Sequence, residues 1–241
     1  MYVKEKVFSL VSNCLKDISP CHGYEHAMAV YNHAVKATEE LKIQEKELIL
    51  YAALLHDIDD PKFFKSKDCE NAISILKEVG LKDEEIKTVV EMINLVSSSK
   101  NGDRVPESVK GKEWKLIPRW CDRLEAIGKI GIQRCATFRK NVTKAPFFAS
   151  STPRPKDMEE LSSYVSVERY KSYKGESLSM IDHYFDKLLL LGSFECNNNY
   201  IKEEVKKRND VMSAFVLWAV KNEKDMSDSL IDDYLSTFLQ N

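Results

Sequence analysis

The chain has 241 residues, 43% hydrophobic and 31% charged, a balance that excludes disorder as the dominant state and suits one well-filled core. Lys and Arg total 36 against 38 Asp and Glu, for a formal net charge of -2, so no global field draws the protein to nucleic acid or to an anionic membrane. The longest apolar stretches, Leu48 to Leu55 and Phe215 to Val220, fall far short of the roughly 20 residues that a bilayer span needs.

Apolar positions recur at helical spacing from Val3, Val7, Leu10, Val11 and Leu15 onward, and strand-like alternation is not sustained. Only 8 glycines and 7 prolines punctuate the chain, fewer than a strand-rich sandwich needs. The spacing predicts an all-α chain with helices over 2–17, 24–41, 45–58, 67–79, 82–97, 113–131, 157–172, 177–191, 198–222 and 225–239. The first of these mixes charged with apolar residues and lacks the uninterrupted apolar run of an export signal. The six cysteines (Cys14, Cys21, Cys69, Cys121, Cys135, Cys196) show no C-x-x-C spacing, and the expectation is reduced thiols in a cytoplasmic setting. Two connections are long: Ser97 to Lys112, with Asn101-Gly102 and Pro106, and Lys144 to Lys156, with Pro146, Pro153 and Pro155. The second reads as a lid or pocket wall. One domain over 1–241 is expected, with a motif-bearing core at about 20–135 and a C-terminal helical part at about 157–241.

Three stretches carry chemistry: Cys21-His22-Gly23-Tyr24-Glu25-His26, Leu54-Leu55-His56-Asp57-Ile58-Asp59-Asp60 and Trp120-Cys121-Asp122-Arg123-Leu124-Glu125-Ala126-Ile127-Gly128. Leu48 to Leu55 is a buried-looking helix that delivers His56 and Asp57 at its polar end. Hydrophilic side chains leaving such a face need partners, because an unpaired buried charge is costly. Imidazole and carboxylate ligands suit a divalent cation, manganese by preference, with magnesium, iron, cobalt, nickel or zinc as alternatives. Two His with two Asp leave coordination positions open for water and substrate, as hydrolysis assisted by a metal requires.

As a set, these residues make the sequence resemble the HD phosphohydrolase superfamily, whose pattern is an early His, a His-Asp doublet about 30 residues on and a distant Asp. The resemblance places His26, His56, Asp57 and Asp122 in those positions. The runs Asp122 to Arg134 and Ser179 to Leu188 look like the branch of bacterial nucleoside triphosphate pyrophosphohydrolases, and the likeness covers roughly residues 20–220. Glu125 stands where that branch usually has Asp, and Trp120-Cys121 where small residues or another Asp often precede.

Around the ligands, His22 precedes His26 by four residues and is a candidate to contact phosphate or water, or to cap the helix. Asp60, four residues after His56, is the candidate for orienting or deprotonating the attacking water, favoured by the resemblance over Asp59, which reads as a solvated acid. Arg123 and Lys62, with Lys100 and Arg134 behind them, are candidate phosphate contacts, and a structural ion pair is the alternative for Arg123. His183, in a run that recurs in the branch, reads as a pocket support or substrate contact. His33 shares a helical stripe with His26 but lies about 10 Å along the axis, so it reads as packed or half-buried rather than ligating. Phe63, Phe64, Phe147, Phe148, Tyr164 and Tyr170 are core aromatics or base-stacking surfaces.

The resemblance implies cleavage of a nucleoside triphosphate to monophosphate and pyrophosphate. The residues themselves point to a phosphorylated small molecule as partner, and leave open a phosphodiesterase, a phosphomonoesterase or a non-catalytic nucleotide-binding module. A homodimer is compatible with this reading, and nucleic acid and membrane are not expected partners.

Overall fold

The structure is a computed structural model that describes residues 2–18, 22–102, 104–194 and 196–237. Among these residues all regular structure is helical. Cys21 and the last two positions of the final expected helix lie outside the described residues. None of the described helices is long and apolar enough to cross a membrane. The chain groups into two compact units: residues 1–125 with 196–201, and residues 126–195 with 202–241.

In the first unit the helices are α1 (Tyr2–Leu15), α2 (Tyr24–Thr38), α3 (Lys46–Leu55), α4 (Glu70–Glu78), α5 (Asp83–Val96), the short α6 (Ser98–Asn101) and α7 (Ile117–Leu124). Helix α3 is central because it is apolar all round: every residue from Ile49 to Leu55 is buried, and it packs against α2, α5 and α7. A helix buried on all sides must show its polar residues at its ends. His56 and Asp57 therefore emerge together where α3 stops, His56 as its C-cap.

The loop from Ser97 to Lys112 is fastened from beneath. Two buried arginines of α7 hold it: Arg119 Nε donates to Leu95 O at 2.6 Å and Nη1 to Arg104 O at 3.1 Å, and Arg123 Nη2 donates to Gly102 O at 2.8 Å.

The second unit contains α8 (Gly128–Phe138), α9 (Met158–Ser163), α10 (Val167–Ser172), α11 (Met180–His183), α12 (Leu189–Leu191), the body of α13 (Asn199–Lys221) and α14 (Asp228–Ser236). A π-helical turn, Tyr184–Leu188, joins α11 to α12. The helix expected over 113–131 is broken: a 3-10 turn at Glu113–Leu116 leads into α7, and α8 starts afresh at Gly128. Gly128 takes φ +72, and a Cβ there would sit 2.8 Å from Arg208 Cγ, so the restart needs glycine on both counts. The helix expected over 157–172 is likewise two helices, the second restarted by Ser166, whose side chain accepts from Arg169 N.

The 144–156 segment is fastened rather than free to swing. Thr152 is buried and donates to Asp182 Oδ2 at 2.6 Å, Met180 N donates to Pro146 O at 2.9 Å, and Arg154 pairs with Glu223. Phe147 and Phe148 lie under arginines, Arg139 at 4.0 Å and Arg154 at 5.4 Å from the ring centroids. They are therefore packed within this unit.

Candidate metal centre

Four donor atoms converge in the first unit. Helix α2 contributes His26 from its first turn, the end of α3 contributes His56 and Asp57, and the last turn of α7 contributes Asp122. His26 Nε2 lies 3.2 Å from His56 Nε2, 3.3 Å from Asp122 Oδ1 and 3.8 Å from Asp57 Oδ2. His56 Nε2 lies 3.5 Å from both Asp57 Oδ2 and Asp122 Oδ1. Ligands held about 2.0–2.2 Å from one divalent cation stand about 3.0 Å apart at a right angle and about 3.4 Å apart at the tetrahedral angle. The observed spacings of the two imidazoles from each other and from either carboxylate fall around that range, and two overlapping groups, His22-His26-Asp57 and His26-His56-Asp122, each bring three donor atoms within 4.8 Å of one another, so the donor chemistry suits a divalent cation.

The imidazole of His56 is oriented for the task. Its Nδ1 donates to Ala53 O at 2.8 Å, which leaves Nε2 to face the other donors, and the ring is buried. Both α3 and α7 also present their C-terminal ends, where a helix dipole favours positive charge.

Electrostatics bind the cluster together. Burial works against ionisation of Asp57, but His56, His22 and His26 outweigh it and hold the carboxyl well below the usual range. Asp122 behaves alike: burial opposes its charge, and His26 and His56 more than compensate, with Asp57 opposing them. For His56 burial pushes the pKa down, while Asp57 and Asp122 carry it well above the ordinary histidine value. Two carboxylates thus favour positive charge on the His56 imidazole, and a divalent cation meets the same demand.

His22 joins this group, with Nδ1 3.0 Å from Asp57 Oδ2. It could serve either as a further ligand or as the residue that orients Asp57, since His22, His26 and Asp57 offer donor atoms within 4.8 Å of one another. Phe63 flanks it, 37% exposed, with ring centroids 5.3 Å apart.

The other candidates are distributed as follows. Asp60 Oδ1 accepts from Lys62 N at 2.9 Å, and its Oδ2 lies 3.8 Å from the exposed Lys62 ammonium. Among the described residues no hydrogen bond or ion pair joins Asp60 to the histidines. Asp59 is not the solvated acid expected of it: its two oxygens accept from Asn71 N and Ala72 N at 3.0 and 2.9 Å, closing the first turn of α4. The missed signal was Cys69, a poor capping residue at the start of that helix. Arg123 is only 3% exposed and donates to the Gly102 carbonyl. Lys100 is exposed on α6.

Arg134 and His183 belong to the second unit. His183 lies 3.3 Å from Ser177 Oγ and near the Tyr173 ring, and burial, with Lys187 adding to it and Asp186 opposing, pushes its pKa down to about 4. His33 takes no part in the cluster: it is a half-buried histidine bonded to Tyr200 and Glu125. Cys14, Cys69, Cys121 and Cys135 carry free thiols.

The HD domain family matches residues 23–127, a span that contains His26, His56, Asp57 and Asp122. An uncharacterised protein of Acanthamoeba polyphaga mimivirus, L803, is 44% identical over 216 residues, covering 81% of this chain and 87% of that protein. Among solved structures, an HD-superfamily hydrolase of Bacillus thuringiensis superposes with a TM-score of 0.65 at 21% identity, over 94% of this chain and 98% of its own. Bacillus subtilis YpgQ in complex with ADP superposes with a TM-score of 0.63 at 21% identity, over 94% and 97%. Likeness at this level of identity describes a shared fold.

Proposed function

Because the chain belongs to the HD domain family, we propose that it is a metal-dependent phosphohydrolase that cleaves a nucleoside triphosphate to monophosphate and pyrophosphate. The observation that carries the reading is the convergence of His26, His56, Asp57 and Asp122 donor atoms at 3.2–3.8 Å, with both imidazoles turned inward. These four residues would hold the cation. Bound there, a divalent ion supplies the positive charge that acidifies water and polarises a phosphoryl oxygen.

The chain's own residues account for the rest of the chemistry. His22, through its 3.0 Å contact, orients the Asp57 carboxylate. Asp60, held in place by its own turn, accepts the proton of the water that attacks the α-phosphorus. The exposed ammoniums of Lys62 and Lys100 meet the charge of the departing pyrophosphate. Arg123, buried and bonded to Gly102, holds the 97–112 loop and is assigned no contact with phosphate. Phe63 offers an exposed apolar ring beside His22 on which a nucleobase stacks. Arg134 and His183 take no part in this proposal. That YpgQ, of similar fold, binds ADP supports a nucleotide with a phosphoanhydride.

The test is product analysis. Metal-stripped protein is offered nucleoside and deoxynucleoside triphosphates, monophosphates and cyclic nucleotides, with manganese, magnesium, cobalt, nickel or zinc added back. Pyrophosphate release that depends on the metal is expected. Orthophosphate release or opening of a cyclic bond would move the substrate while keeping the site, and no turnover with any metal would sink the catalytic reading.

A further inference from the structure

The one histidine of the first unit's described residues that stands outside the cluster, His33, joins three distant parts of that unit. His33 lies on α2, seven residues beyond His26. Its Nε2 is 3.0 Å from Glu125 Oε1, and its Nδ1 is 2.6 Å from the Tyr200 hydroxyl. One neutral tautomer satisfies both contacts: Nε2–H donates to the carboxylate, and Nδ1 accepts from the phenol. The His33 and Glu125 side chains are 13% and 12% exposed, so these bonds replace contacts that water could otherwise make. Glu125 directly follows α7, three residues after Asp122. Tyr200 belongs to the 196–201 segment, which is itself tied to α2: Asn198 Nδ2 donates to Ala37 O at 2.7 Å, and the Lys36 ammonium lies 5.8 Å over the Tyr200 ring.

Helices α2 and α7 are therefore joined at two levels, by His26 with Asp122 at 3.3 Å and by His33 with Glu125 at 3.0 Å. Helix α7 is already packed on α2, α3 and α5, and a second polar contact with α2 further restricts its rotation about the first. An apolar pair in place of His33 and Glu125 would hold the helices together without specifying their register, whereas a directional hydrogen bond specifies it. We propose that His33, with Glu125 and Tyr200, is a positioning clamp that fixes α7 on α2 and so keeps Asp122 Oδ1 aimed at the other three donors. The inference rests on the reading that the cluster holds a divalent cation.

Manganese(II) titrated into stripped native protein and into variants tests the clamp, with thermal melting and far-UV circular dichroism of the cation-free proteins followed in parallel. His33→Phe and Glu125→Leu are expected to weaken manganese(II) binding about tenfold or more, the usual effect of removing the support of a ligand. His33→Gln and Glu125→Gln each keep a donor facing an acceptor and are expected to stay within about threefold of native. Variants that melt at a lower temperature yet bind manganese(II) with the native Kd would show that the pair only stabilises the fold, and would overturn the clamp. Should His33→Phe or Glu125→Leu fail to fold, Tyr200→Phe decides, since it loses one hydroxyl: weaker binding supports the clamp and a native Kd overturns it. If the native chain binds no manganese(II), the reading of the cluster fails and the clamp falls with it. That result differs from the others because the native protein itself then shows no binding, whereas failure of the clamp alone leaves native binding intact.

Discussion

Replacing Asp59 by alanine separates two adjacent acids whose roles the structure divides. Helix α4 begins at Cys69, in a left-handed conformation with φ +61 and no side-chain cap, so its first amides need an acceptor from elsewhere. Asp59 supplies it twice, to Asn71 N at 3.0 Å and Ala72 N at 2.9 Å. A hydrogen bond to a charged group contributes about 1.5–3 kcal/mol, and the half-buried setting argues for the lower end, so Asp59→Ala should cost about 3 kcal/mol. Asp59→Asn, which keeps one acceptor oxygen, should cost about half of that. For a protein of this size the alanine variant should melt roughly 6–12 °C lower. Asp60→Ala removes one hydrogen bond to Lys62 N in an exposed turn and should cost under about 1 kcal/mol, while turnover falls about 100-fold or more. Urea and thermal unfolding alongside steady-state kinetics read all three variants. An Asp59→Ala protein within about 0.5 kcal/mol of native, or an Asp60→Ala protein less stable than Asp59→Ala, would refute the assignment.

Three further outcomes are expected. Asp57 and Asp122 outweigh burial and raise the His56 pKa well above the ordinary histidine value, so cation binding, which takes the neutral imidazole, should release protons and weaken as the pH falls, by up to about tenfold per unit; titration calorimetry in two buffers of different ionisation enthalpy reads the release, and identical apparent heats would contradict it. His183 has its pKa pushed down to about 4, by burial first, whereas in the unfolded chain it protonates near 6.5. The unfolded state therefore binds the extra proton between those values, and stability is present above about 6.5 and lost as the pH falls toward 4, by up to about 3 kcal/mol. His183→Gln should flatten that part of the stability profile, and an unchanged profile would show that another group is responsible. Phe63→Ala should raise KM for nucleoside triphosphates about tenfold and leave hydrolysis of inorganic tripolyphosphate unchanged; an equal effect on both would mean that the ring contacts no base.

The candidate ligands were legible because each sits at a place the local pattern defines. Leu48 to Leu55 is apolar on every side, so His56 and Asp57 had to appear at its end, and His26 and Asp122 lie on helical stripes of the same kind. The features that escaped are those whose partners are distant in the chain. Asp59 looked solvated because its amide partners lie 12 and 13 residues on, at the start of another helix. Glu125 looked like a minor substitution beside Asp122, since His33 is 92 residues away and Tyr200 is 167 residues from His33. Arg123, beside a ligand in sequence, points instead to Gly102, because α7 presents successive residues to different sides. The break before α8 depended on Gly128 meeting Arg208, a contact that helical periodicity does not encode.

Equilibrium dialysis of the stripped protein against manganese(II), native beside Asp57→Ala, tests the central claim most directly. The account predicts one ion bound per native chain and none per Asp57→Ala chain, with unchanged far-UV circular dichroism. An Asp57→Ala protein that binds manganese(II) as the native chain does, or a native chain that binds none, would contradict it.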